Sequence, residues 1–294
     1  MNDRTLAWIA AVRPKQWLKN TLVFAAPAGA HVLNQQEPLL QTLGAFGCFC
    51  LTASGTYLLN DARDVEVDRL HPTKRYRPIA AGRIPRTSAI AVGIFLVVAG
   101  VASGAAIRSE LMITLAGYAL LTVAYSTVLR NIPVLDILAI ASGFVLRAVA
   151  GAAAVDVPIS DWFFIVTSFG SLFMAVGKRT GESAELADDA LAASIRPTLA
   201  VYTDSYLAYL RSVSSGVMLI AYCLWAFETS NAAEHNGVFF ELSILPFVAA
   251  ILRYALLIDQ GQGATPEHVL LHDRVLQLIG VTWAIVYGIG VYAS

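Results

Sequence analysis

The sequence predicts an all-α integral membrane protein, a single polytopic domain over residues 1–294 with nine transmembrane helices. Three observations predict it. Hydrophobic residues make up 57% of the chain and charged residues only 14%, whereas soluble domains carry about 25% charged residues. Nine stretches are apolar over a length that can cross a bilayer, for which about 20 residues are needed. With the N-terminus in the cytoplasm, fifteen of the twenty Lys and Arg fall in segments facing that side and only Arg108 in one facing the other. Such an excess marks the cytoplasmic face. The expectation is therefore a multi-pass protein of the cell (inner) membrane, N-terminus inside and C-terminus outside.

The elements follow in order. MNDRTLAWIA has no long apolar run behind a basic start, so no secretory signal is expected. The first two spans cover residues 16–34, which include Lys19, and 39–59. A long charged loop, 60–86, comes next. Spans three to six cover 87–107, 111–130, 133–154 and 159–177, and a second charged loop, 178–205, follows the sixth. The last three cover 206–227, 239–257 and 275–293, the eighth containing Arg253. Both charged loops face the cytoplasm. The connections on the opposite side are short, and one of them, ETSNAAEHNGV, is polar and acidic.

Within the spans, Cys48, Cys50 and Cys223 sit in apolar runs without a CxxC spacing and read as small buried hydrophobes. Gly100 and Gly104 form a GxxxG pattern that permits close helix approach, within the bundle or between copies in a homo-oligomer. Trp17, Trp162, Trp225 and Trp283 near span ends read as interfacial anchors. Arg147 lies inside the fifth span, where an ionisable group is costly and faces a cavity or a partner. Substrate contact and a structural hydrogen-bonding role are both open to it. Asp136, eleven residues earlier and close to three turns away, shares its face. His268 and His272 have the i, i+4 spacing of some metal sites but no third ligand, so a solvated loop is expected.

The chemistry concentrates in NDARDVEVDRLHPTKRYRPIAAG, residues 60–82. Asn60, Asp64 and Asp68 are spaced i, i+4, i+8, and Asp61 precedes Asp64 by three. A helix continuing from the second span projects all four from one face. Clustered carboxylates repel one another and raise each other's pKa, which a hard divalent cation relieves. Oxygen ligands without His or Cys suit Mg²⁺, with Mn²⁺ as the alternative, and Mg²⁺ typically takes one or two carboxylates and completes its shell with substrate phosphates. Lys74, Arg75 and Arg77 follow, placed to clamp phosphate oxygens. Pro72 and Pro78 keep the segment from forming one straight helix. A loop that only set topology would need the basic residues but not the acidic ladder.

The pattern N60-D61-A-R-D64-V-E-V-D68 at the end of a second span resembles the first signature of the UbiA-type polyprenyl transferase superfamily. The resemblance implies a ring of helices around a central cavity open to the cytoplasm and laterally to lipid, with Mg²⁺ holding a diphosphate. It departs from the family at the second signature. The loop GKRTGESAELADDALAASIRPTLAVYTDSYLAYLR contains no DxxxD and opens with Lys178 and Arg179. RPKQWLKN, GKRTGE and YTDSYL together resemble a branch whose members transfer 5-phosphoribose from phosphoribosyl diphosphate to a polyprenyl phosphate such as decaprenyl phosphate. By this resemblance Asn60, Asp61, Asp64 and Asp68 hold Mg²⁺ and the departing diphosphate, with Asn60, Asp64 and Asp68 as the catalytic set. Lys15, Lys74, Arg75, Arg77, Lys178 and Arg179 supply cationic contacts to substrate. Glu182, Tyr202 and Asp204 bind ribose hydroxyls or order the basic loop. The partners implied are phosphoribosyl diphosphate, a polyprenyl phosphate lipid and the bilayer, and no nucleic acid.

Two other readings are weighed against this one. A family member of the commoner kind would use an isoprenyl diphosphate donor and an aromatic or lipid acceptor. A transporter would place its site at the bilayer midplane on broken helices, whereas here the acidic cluster lies at a membrane face.

Overall fold

The computed structural model describes residues 3–185, 198–233 and 235–292. Residues 186–197 of the second charged loop, including Asp188 and Arg196, lie outside the described residues. Every regular element described is helical. In chain order these are α1 (Asp3–Val12), a 3-10 helix (Pro14–Phe24), α2 (Ala25–Gly29), α3 (Gln36–Arg63), α4 (Val65–Leu70), a 3-10 turn (Lys74–Tyr76), α5 (Arg86–Ala105) and α6 (Ser109–Thr127). There follow α7 (Leu135–Val155), α8 (Asp161–Glu185), α9 (Asp204–Ala232), α10 (Val238–Leu242), α11 (Ile244–Asp259), α12 (Pro266–His272) and α13 (Arg274–Tyr292), with short 3-10 turns at Leu129–Asn131 and Gln262–Ala264.

Among the described residues, seven helices are long and apolar enough to cross a membrane: α3, α5, α6, α7, α9, α10 with α11, and α13. Each overlaps an expected span closely. The expected first span, 16–34, is not a continuous α-helix. Arg13 stands in the left-handed region at φ 54°, Pro14 opens the 3-10 run, and the α-helical piece after it is only five residues long. Polar Lys19 and Asn20 in its middle bond sideways, Asn20 Nδ2 donating to Cys50 Sγ at 3.3 Å and Lys19 Nζ to Gln16 Oε1 at 2.6 Å. The expected sixth span forms a 25-residue helix, α8, that runs eight residues past residue 177. Residues 178–185 are therefore the last two turns of a helix and not a loop, and Asp204 opens α9.

The chain divides into two compact units, one of residues 1–129 with 146–158 and one of 130–145 with 159–294. In the first, α3 is the buried helix, packed by α5, α6, α1 and the 3-10 run. Its most apolar window is 61% buried, against 22% for those of α5 and α6. Phe49, Ala45, Leu111, Leu115 and Tyr118 make one core, and Leu58, Ala62, Val65, Ile79 and Ile84 a second that ties the charged loop to α3. Small residues let the helices touch: a Cβ on Gly100 would lie 2.8 Å from the Cys48 carbonyl oxygen. The GxxxG face thus packs inside this unit, Gly100 against α3 and Gly104 against Leu111 and Leu115. On the outside, Ile94, Phe95, Val98, Ile113 and Leu120 remain exposed, an apolar belt that suits lipid, not water.

In the second unit α8 packs on α9 and receives the Gln262–Ala264 turn. Gly177 and Gly181, one turn apart on α8, make this approach feasible: a Cβ on Gly181 would fall on the backbone nitrogen of Ala264. Phe173, Met218, Tyr254, Leu257 and Ile258 form the core there, and Ile137, Ala175, Val176, Tyr202 and Leu207 another beside α7. The α13 window is only 17% buried, with Leu278, Val281 and Ile285 outward. Cys48 and Cys50 are buried as expected, and Cys223 is half-buried. His268 and His272 lie exposed on the short helix α12 with their rings stacked 3.9 Å apart, a helix where a loop was expected.

Candidate active site

The acidic ladder starts on the last turn of α3. The helix breaks at Asp64, yet its spacing survives the break. Asp64 N–H donates to the Asn60 carbonyl at 2.9 Å and Asp68 N–H to the Asp64 carbonyl at 2.8 Å. Asn60, Asp64 and Asp68 therefore remain one helical step apart, as the sequence predicts. Asp61 and Asp68 are 4% exposed and share one cation. Arg77 Nη1 donates to Asp68 Oδ2 at 2.7 Å and to Asp61 Oδ1 at 3.1 Å. Arg13 Nη2 reaches the same Asp61 oxygen at 2.5 Å and lies over the Tyr57 ring. Burial pushes the Asp68 carboxyl above its ordinary value; Arg77 pulls it down but does not win, and Asp61 adds repulsion.

Arg77, expected to clamp phosphate, thus also neutralises two of the four acids. Arg13 was expected only to mark topology and is the residue sequence reasoning missed, although it begins the RPKQWLKN motif. What holds it there is a chain of bonds, Trp17 Nε1 to Ser54 Oγ at 3.0 Å and Ser54 Oγ to the Val12 carbonyl at 2.9 Å. Arg75 lies exposed on its neighbour Tyr76, Lys74 is half-buried, and Lys15 is exposed.

Among the described residues, no three His, Cys, Asp or Glu side chains assemble into a ready metal cage. The donor set still fits Mg²⁺, which needs one or two carboxylates and draws its other ligands from phosphate and water. Asp61 is engaged by two guanidinium groups and Asp68 by one, so Asn60 and Asp64, with Asp68, are the residues that would hold the ion.

The second set of predicted residues belongs to the other unit. Arg179 is fully buried, and its Nε donates to Asp136 Oδ2 at 2.7 Å while its Nη1 bonds Glu182. Tyr202 donates its hydroxyl to Asp136 Oδ1 and accepts the Val134 N–H at 2.6 Å. Burial and the neighbouring Asp136 carboxylate raise the Tyr202 phenol well above its ordinary value, so it stays a hydroxyl. Lys178 is 30% exposed with Nζ 3.8 Å from Glu182 Oε1. Asp204 is exposed on the first turn of α9. Arg147, in the first unit, donates from Nε to Asn20 Oδ1 at 2.8 Å and from Nη2 to the Tyr118 hydroxyl at 3.0 Å, between the Phe49 and Tyr118 rings. Both Asp136 and Arg147 are buried, as their shared face implied.

Comparison with known proteins places this chain. A model described as the UbiA prenyltransferase family matches residues 21–277. The decaprenyl-phosphate phosphoribosyltransferase of Mycolicibacterium smegmatis is 43% identical, over 97% of this chain and 92% of that protein. The protein of the same name from Mycobacterium tuberculosis strain H37Rv is 41% identical, over 96% and 93%. In structure, a UbiA homolog from Archaeoglobus fulgidus bound to DMAPP and Mg²⁺ superposes with a TM-score of 0.68 over 97% of this chain and 99% of that one; at 18% identity the likeness is one of fold. With an acidic ladder closing its buried third helix and a family match across nearly its whole length, the chain belongs to the UbiA prenyltransferase family.

Proposed function

We propose that this protein transfers 5-phosphoribose from phosphoribosyl diphosphate to decaprenyl phosphate or a closely similar polyprenyl phosphate, releasing diphosphate. The observation that carries the reading is identity of 41% and 43%, over nearly the whole chain, to two proteins named for that transfer. The absence of DxxxD after the sixth expected span, with the part-exposed Lys178 opening the segment in its place, agrees with a donor that bears a second phosphate.

The residues divide the work. A phosphate oxygen of the lipid forms the new bond to C1 of the ribose while the C1–O bond to diphosphate breaks, inverting C1. The attacking phosphate is ionised near pH 7, its second pKa being about 6, so no general base is required. Asn60, Asp64 and Asp68 would hold Mg²⁺, which would supply positive charge against that gathering on the leaving diphosphate. Arg77 and Lys74 orient the diphosphate oxygens, and Arg75 and Lys15 draw the anionic donor from solution. Lys178 binds the donor's other phosphate, and Glu182 and Asp204 meet the ribose hydroxyls. Arg147 acts within the first unit's core, where its hydrogen bonds to Asn20 and Tyr118 hold the 3-10 run.

On this reading the site faces the cytoplasm, where both charged segments lie by their Lys and Arg content. Helix α8 and the 14–29 segment complete the nine crossings. Purified protein in lipid nanodiscs, given Mg²⁺, phosphoribosyl diphosphate and decaprenyl phosphate, is expected to release diphosphate only when the lipid is present. No release, or release only with dimethylallyl or geranyl diphosphate as donor, sinks the assignment.

A further inference from the structure

We infer that Asp136 is a positioning residue that sets the donor-binding end of α8, using one carboxylate to hold both flanks of the second charged segment. The inference rests on the reading of Lys178 and Glu182 as donor contacts. Asp136 and Arg179 are both fully buried and Tyr202 is 6% exposed, so Asp136 and Arg179 have no surface to offer a substrate. Oδ2 of Asp136 takes the Nε–H of Arg179, seven residues before the segment 186–197, and Oδ1 takes the hydroxyl of Tyr202, five residues after it.

The hydrogen bonds then run outward. Arg179 continues to Glu182, and Glu182 sits 3.8 Å from Lys178 Nζ. Exposure rises along this path from 0% at Arg179 to 18% at Glu182 and 30% at Lys178. The buried end orients and the open end binds. A third feature supports a built arrangement. Val134, two residues before Asp136, is β-branched yet sits at φ 68°, a conformation that persists only where its surroundings impose it. Its N–H is aimed at the Tyr202 hydroxyl that Asp136 also engages. Thr198 adds a bond from its hydroxyl to the Arg130 carbonyl at 3.3 Å, fastening the far flank to the same stretch ahead of α7.

The physical consequence is specific. A buried guanidinium deprived of its carboxylate's charge leans on whatever counter-charge remains, and Glu182 is already bonded to Arg179. Removing the Asp136 charge therefore draws Glu182 inward and takes it from Lys178. The donor loses binding, while the lipid acceptor does not.

Steady-state kinetics on the full-length protein in nanodiscs tests this with Asp136→Asn, Tyr202→Phe and Lys178→Ala. Asp136→Asn and Lys178→Ala are each expected to raise the KM for phosphoribosyl diphosphate about tenfold, the scale of one charge-assisted hydrogen bond. The KM for decaprenyl phosphate is expected to stay in place. Tyr202→Phe, which removes one hydroxyl, is expected to raise the donor KM about threefold. A donor KM unchanged in Asp136→Asn but raised in Lys178→Ala overturns the inference alone. So does a kcat loss in Asp136→Asn with the donor KM unmoved. A normal donor KM in Lys178→Ala overturns the donor-binding reading and the inference with it. Should Asp136→Asn not fold, an unchanged donor KM in Tyr202→Phe overturns the inference.

Discussion

Asp68 shows at the scale of one residue how function and stability diverge. Its carboxyl is 4% exposed and its pKa lies above the ordinary value because burial outweighs the pull of Arg77. A folded-state pKa above the unfolded one means that the group favours folding below the unfolded pKa, and that this contribution is lost as pH rises through the folded value. The ionised form of Asp68 is therefore a net cost to the fold, one that its proposed role as a Mg²⁺ ligand would account for. Asp68→Asn is expected to keep or raise the Tm in metal-free detergent at pH 7 while abolishing Mg²⁺-dependent diphosphate release. A clear drop in Tm would contradict this account. Asp61 should behave in the opposite way. Its carboxylate neutralises Arg13 and Arg77, which are 24% and 28% exposed, and Asp61→Ala is expected to destabilise by about 1–3 kcal/mol, reduced from the fully buried case by that exposure. Denaturant unfolding in detergent measures it.

At the scale of elements, α8 and α13 owe their placement to contacts that can be broken singly. Gly181→Ala would set a methyl group on the Ala264 backbone, and backbone cannot swing aside as a side chain can. A loss of about 1–3 kcal/mol is expected from such overpacking. Gly216→Ala, on α9 in open space, should instead stabilise by about 0.5–1 kcal/mol through helix propensity. Equal effects from the two would refute the packing argument. Asp273 caps α13, accepting the Leu276 N–H at 2.6 Å, and pairs with Arg253 at 2.6 Å. The Arg253 hydrogen bonds hold its carboxyl below the ordinary value, so its stabilisation is present above the unfolded carboxylate pKa and is lost as pH falls through the folded one. Tm followed between pH 7 and about pH 3 should fall further in the parent than in Asp273→Asn, which keeps a capping oxygen but not the charge. The expected elements were legible because apolar length and turn chemistry are local. The exceptions have local causes too: Arg13-Pro14 and the buried amide of Asn20 divert the first expected span, and the GKRTGE charges had hidden two further turns of α8.

For the molecule as a whole, orientation is the claim most open to test. Cysteine substitutions at Ala81 and Ala106, both exposed, should label from opposite faces of sealed vesicles, Ala81→Cys from the cytoplasmic side. The native cysteines give little background, two being buried and one half-buried. Labelling of both from one side would end the assignment of sides and with it the cytoplasmic site.

The sequence by itself determined that this is a helical membrane protein, where the long apolar helices lie, and that an Asn–Asp–Asp ladder ends the second expected span. Each of these is written in composition or in a repeat of three to four residues, which any helix reads out. Only the tertiary structure decided which charges answer one another. Arg13 meets Asp61 across 48 residues and Arg179 meets Asp136 across 43, separations that no periodicity encodes. A buried charge must find its partner wherever packing brings one, so a residue that reads as a substrate contact in sequence, as Arg179 does, can be the buried frame behind it.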